Sequence, residues 1–145
     1  MNLKSLIDTL AEEQKVHERL LQAKREERIQ LALADAPRLL KNTERISDLV
    51  DRARDLEKRR LALIRDAAMQ LGITQEPVTV KDILETIPPA NRPELEVASR
   101  TLKNTLEQIR EANRTNHRIL QDSIAAIRLQ LKQFIPQQES GVYTA

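Results

Sequence analysis

The sequence predicts an all-α protein, an antiparallel bundle of coiled-coil character with three long helices and one short connecting helix. Three observations carry that prediction. Apolar residues recur at alternating intervals of three and four along most of the chain, the spacing that lines one side of an α-helix. Glycine appears only twice and aromatics make up 1% of the residues, while Leu, Ala, Ile, Arg, Glu, Lys and Gln dominate. That is the composition of long helices and not of sheets. The prolines, finally, gather at a few breaks and leave long uninterrupted runs between them. At 145 residues the chain is sized for one domain with one core.

The first helix is predicted at about 3–33. Leu3, Ile7, Leu10, Leu21 and Leu31 mark its seam, with Gln14, His17, Lys24 and Arg28 in the seam positions between them. So polar a seam makes a weak helix alone, and its stability must come from neighbours. The break Ala34-Asp35-Ala36-Pro37 follows. Asp35 can cap the next helix, and Pro37 suits its first turn, where a missing N–H costs nothing. The second helix runs at about 37–71 through Ile46, Leu49, Ala53, Leu56, Leu63, Ala67 and Leu71, with Gly72 placed as a left-handed terminator. So short a break makes the two helices antiparallel neighbours, a bent continuous helix being the alternative.

Residues 73–93 form a connector that holds Pro77, Pro88, Pro89 and Pro93. Within it Thr79 can cap a short helix at about 80–87, whose Val80, Ile83, Leu84 and Ile87 make an apolar face that plugs one end of the bundle. The last helix is predicted at about 92–135. Asn91 and Glu94 stand at capping-box spacing before it, and Pro136 ends it. Its stripe passes through Leu95, Ala98, Leu102, Leu106 and Ile109, then Leu120, Ile124, Ile127, Leu131 and Phe134. Asn113 and Asn116 occupy the two seam positions in the middle. A single domain thus covers residues 1–135, and the polar tail 136–145 is expected to be mobile.

At about 1.5 Å per residue the first two helices reach roughly 50 Å and the last roughly 65 Å. The last helix should therefore overhang its companions, at the end that carries Leu120 and the residues after it. Ile119 and Leu129 lie off the stripe there and add apolar surface. Such a surface can close the core, pair two copies of the chain, or offer a groove to a partner's amphipathic helix. Asn113 and Asn116 read as a polar layer that sets register, with Gln14 and His17 at a similar height if the first and last helices run parallel.

Several function classes are disfavoured. The formal charge is +2, from 24 basic and 22 acidic residues with signs interleaved, which describes a salt-bridged helix surface and not a nucleic-acid patch. Two aromatic residues, Phe134 and Tyr143, make no stacking platform for bases. Without cysteine there is neither disulfide nor thiolate metal site. His17 and His117 stand far apart without a ligand or nucleophile spacing, and Glu12-Glu13 and Glu26-Glu27 belong to charged helix faces. Lys58-Arg59-Arg60, set between Leu56, Glu57 and Leu61, reads as part of a salt-bridging face. No enzyme, metal or cofactor is expected. No apolar run approaches the ~20 residues that span a bilayer, and the amino terminus lacks the order of a signal peptide. A cytoplasmic protein is expected.

The order of local patterns resembles one family. Glu26-Glu27 precedes the Ala34-Asp35 break, Leu56-Glu57-Lys58-Arg59-Arg60 lies mid-helix, and Leu71-Gly72 closes the second helix. Asn113-Arg114-Thr115-Asn116-His117-Arg118-Ile119-Leu120 follows, then Ser123 and the tail Gly141-Val142-Tyr143. Over nearly its full length the chain resembles the flagellar export chaperone family FlgN. The resemblance implies a cytosolic type III secretion chaperone. Such a protein binds the carboxy-terminal helices of hook-associated, hook–filament junction proteins, keeps them soluble and brings them to the export gate. It further implies substrate binding by Leu120, Ile124, Ile127, Leu131 and Phe134, and export-gate docking by Tyr143. Family tails commonly continue Tyr-Asp/Gly-Ala-x-Gly, where this sequence reads Tyr143-Thr144-Ala145. The alternative to a chaperone is a structural coiled-coil protein that homodimerises through its last helix.

Overall fold

A cap that the periodicity did not reveal starts the first helix. The Asn2 side chain accepts a hydrogen bond from the Ser5 N–H at 3.1 Å and satisfies one of the free donors of the first turn. The computed structural model describes residues 2–134. Within them lie α1 (Leu3–Ala32), α2 (Ala36–Leu71), α3 (Val80–Thr86), a 3-10 turn (Pro89–Asn91) and α4 (Arg92–Phe134), in an all-α bundle. Ile135 and the tail fall outside the described residues.

Between α1 and α2 the chain reverses in three residues, helped by Ala34 in the left-handed region at φ 51°. The Asp35 carboxylate accepts from the Arg38 N–H at 3.3 Å and caps α2. Asn42 donates to the Ala23 carbonyl at 2.8 Å, and Arg45 pairs with Glu26 at 2.9 Å. Further from the turn Arg60 lies 3.3 Å from Glu13, so positions that rise along α2 meet positions that fall along α1, which makes the two helices antiparallel and excludes one bent helix. Gly72, at φ 72°, ends α2 in a Schellman arrangement: its N–H reaches the Met69 carbonyl and the Ile73 N–H reaches that of Ala68.

Thr79 and Asp82 cap α3 reciprocally, each side chain accepting from the other residue's N–H. The Thr79 N–H and hydroxyl, both donating to the Asp82 carboxylate, hold that carboxyl below the usual carboxylate range. The short helix drives Ile83 and Ile87 into the core beside Leu6, Leu10, Ile64, Ala67, Leu95 and Leu102, which closes the lower end of the bundle. Asn91 ends the 3-10 turn that runs directly into α4.

α1 is the central helix. It packs against α2 on one side and α4 on the other, while α2 and α4 nowhere approach within 8 Å, Cα to Cα. α4 runs parallel to α1: Gln14 donates to Thr105 Oγ1 at 2.8 Å, and higher up Asn116 donates to the Lys24 carbonyl at 2.8 Å. A second apolar cluster, Leu20, Leu21, Ala23, Ile46, Ile109 and Ala112, fills the upper half. Between the two clusters lies a polar layer of Glu13, Gln14, His17, Arg60 and Thr105. The polar seam of α1 is explained in part by bonds to α4, from Gln14 to Thr105 and from Arg28 to Asn116.

The expected pairing of Asn113 and Asn116 with Gln14 and His17 does not form. α4 starts level with the amino end of α1, so a residue of α4 meets the α1 residue about 90 positions earlier. Thr105 meets Gln14, and Asn116 lies about three turns higher. Asn113 is exposed.

Candidate functional site

The stripe of α4 changes character along its length. Leu95, Leu102, Ile109 and Asn116 are buried, whereas Leu120, Ile124, Ile127 and Leu131 are 42%, 40%, 55% and 52% exposed. The helix register supplies the cause. With an offset of about 90, the last residue of α1, Ala32, stands opposite residue 122, and α4 continues for about twelve more residues to Phe134. That is roughly 18 Å of helix with no companion.

Direction matters as well as length. Thr105, Ala112 and Asn116 are buried, and Ile119 and Ser123 are half-buried, while Leu120 and Ile124 are exposed. The line that faces α1 has thus drifted around α4 away from the apolar stripe, as happens when the apolar repeat is shorter than 3.6 residues. Ile119, expected as surplus surface, is the better covered of the two neighbours. Leu129 does point away from the bundle, at 60% exposure. The side chain of Phe134 and all of Tyr143 lie outside the described residues.

Sequence reasoning missed a second wall. Because α2 and α4 stand apart over α1, a trough runs between them. Its upper part, about 330 Å³, is lined by Lys24, Glu27 and Leu31 of α1, Leu39 and Thr43 of α2, and Asn113, Asn116, His117 and Leu120 of α4. Lower down, Leu20, Val50, Ala53, Leu106 and Ile109 line about 240 Å³ that ends at Glu13 and Arg60. The upper part opens onto the α4 overhang at Leu120, and Ile29, Leu33 and Leu40 near the α1–α2 turn are exposed apolar residues outside its lining. The available signal was Leu39, seven residues before Ile46, which extends the apolar line of α2 up to the Pro37 break.

The polar groups are structural. The Asn116 amide donates to the Lys24 carbonyl and to Glu27 Oε1, both at 2.8 Å, and accepts from Arg28 Nε at 3.4 Å. Glu13 is 2% exposed, with Arg60 Nε 3.3 Å from its Oε1. That distance is an ion pair, yet neither atom completes a hydrogen bond. Burial pushes the Glu13 carboxyl up, Arg60 opposes the rise and Glu57 adds to it. Arg59 lies 4.0 Å from Glu12, so two members of the basic run face acidic partners on α1. His17 is buried with Nδ1 2.7 Å from the Glu13 carbonyl, and His117 borders the upper trough. Among the described residues no three His, Asp or Glu side chains come together to hold a metal, and no helix is long and apolar enough to cross a membrane.

A helical hairpin carrying a longer third helix with a bare apolar end is the geometry expected from the short break after α1 and the unequal helix lengths. The family model for the FlgN protein matches residues 1–145, the whole chain. The chain belongs to the FlgN family. FlgN proteins are flagellar export chaperones, a family of binding proteins and not of enzymes. No curated protein and no solved structure matches the chain, so the family model carries the assignment. In FlgN terms, the exposed end of α4 is the segment to which the resemblance assigns substrate binding.

Proposed function

We propose that this FlgN-family chain holds the carboxy-terminal helices of hook-associated proteins in the cytoplasm, keeps them soluble, and delivers them to the export gate. The single observation that carries the reading is the uncovered stripe Leu120, Ile124, Ile127 and Leu131, which continues from the trough past the end of α1. A guest helix laid there removes apolar surface from water on both partners at once. Release exposes the guest's stripe again, so a subunit that polymerises through that stripe is kept inert until handover. Phe134 extends the stripe in the sequence, and Tyr143 is proposed for gate docking on the strength of the resemblance.

Co-purification tests the reading. Hook-associated proteins, intact and without their terminal helices, are offered to the full chain and to an Ile124→Asp/Ile127→Asp variant. Binding of intact partners only, lost in the variant, is the expected result. Equal capture of truncated partners overturns it. A chain that elutes as a dimer through α4 and binds no partner establishes the coiled-coil alternative instead.

A further inference from the structure

We propose that the guest helix carries an acidic flank that lies along Arg110, Arg114, Arg128 and Lys132 of α4, an inference that rests on the guest-holding reading above and adds the charge of the guest. At 3.6 residues per turn these four positions fall within about 40° of one another. They border the stripe of Leu120 and Ile124 on one side only. The other border is formed by Ser123 and Gln130, which are uncharged. All four basic residues are exposed. Arg114 has Glu111 at 3.2 Å, and the other three have no ion-pair partner among the described residues.

The local charge departs from that of the chain. Residues 110–134 hold five basic residues and two acidic ones, net +3 in a chain of net +2, so everything else is net −1. The positive charge is concentrated where the apolar surface is bare, on the rim away from α1. Across the trough the facing wall carries no unpaired cation: it is formed by Leu31, Leu39 and Thr43, with Lys24 and Glu27 paired to each other at 3.6 Å. A guest with Glu or Asp on one flank therefore has one orientation that satisfies both walls, and a guest with a basic flank meets like charge. Solvent-exposed pairs of this kind each contribute a factor of about 1.5 to 5 in affinity, so the row as a whole selects by about tenfold.

Two synthetic helical peptides of about 20 residues test this, since the path from Asn113 to Leu131 spans roughly 27 Å. Both carry the same apolar stripe, and one flank is Glu in the first and Gln in the second. Each is titrated into the full chain and into its Arg128→Glu/Lys132→Glu variant, at about 50 mM and about 500 mM salt. The Glu peptide should bind about tenfold tighter than the Gln peptide at low salt. The difference should close at high salt and vanish or reverse in the variant, whose helical circular dichroism should match the parent. Equal affinities, or a preference that survives in the variant, overturn the acidic flank and leave guest holding intact. Binding of neither peptide removes both.

Discussion

Replacing Ile127 and Leu131 together by Ala separates a guest-binding surface from a structural one. Full burial of an Ile or Leu side chain is worth about 1.5–3 kcal/mol. Both residues are half-exposed, at 55% and 52%, so about half of that gain is still available to a guest. The pair should then contribute about 1.5–3 kcal/mol to guest binding, which corresponds to roughly a 10- to 150-fold loss of affinity in the double variant. Stability should barely move, by about 0.5 kcal/mol at most, because the side chains touch little and Ala is the best helix former. Leu102→Ala is the opposing control. Leu102 is 2% exposed in the lower core, and its truncation should cost about 2–5 kcal/mol with a lowered melting temperature. Isothermal titration with the terminal helical segment of a hook-associated protein reads the first quantity, and thermal unfolding reads the second. An unchanged affinity in the double variant, or a melting temperature that falls as far as that of Leu102→Ala, would refute the reasoning.

Asn116→Ala removes a buried amide with two 2.8 Å hydrogen bonds and should cost about 1–3 kcal/mol in urea unfolding, whereas exposed Asn113→Ala should stay within about 0.5 kcal/mol. Equal effects would remove the distinction drawn between the two asparagines. Gly72→Ala should destabilise by about 1 kcal/mol through its left-handed φ alone, since an added Cβ meets nothing within 4 Å. Ala34→Gly should stabilise by about 0.5–1 kcal/mol for the converse reason, after the entropy lost from the unfolded chain is offset. A reversal of either sign in thermal unfolding would contradict the backbone account. Glu13 provides the pH test. Its carboxyl is raised on folding, so its contribution is fully present below the unfolded pKa and is lost as pH rises through the folded one. The stability of the parent relative to Glu13→Gln should therefore be greatest on the acid side and decline toward neutral pH. A gap that widens with pH would mean that attraction to Arg60 outweighs burial.

Much of the fold was legible in the residues because helix formation is governed locally. Asp35, Gly72 and Thr79 act where their chemistry suggested, since a cap concerns only the adjacent turn. Asn2 escaped notice because one asparagine at a chain end carries no periodic signal. Register was not legible. Stripes on α1 and α4 fit one another at several offsets separated by a heptad, and only the placement of α4 by the connector selects the one that pairs Gln14 with Thr105. The tip residues Leu33 and Leu40 were likewise ambiguous, since off-seam leucines beside a turn look the same whether they are covered or bare.

By itself the sequence determined the helices and their breaks, the caps at Asp35, Gly72 and Thr79, the polar interruption of the last stripe and the surplus length of α4. Each follows from spacing along one strand of chain. Tertiary structure alone decided that α1 is the centre, that α2 and α4 stand apart to leave a trough, and that Leu120 turns outward while Ile119 turns in. The reason is that a helix's apolar stripe specifies a face but not the neighbour that meets it, and the choice among neighbours is made by contacts between residues some ninety positions apart.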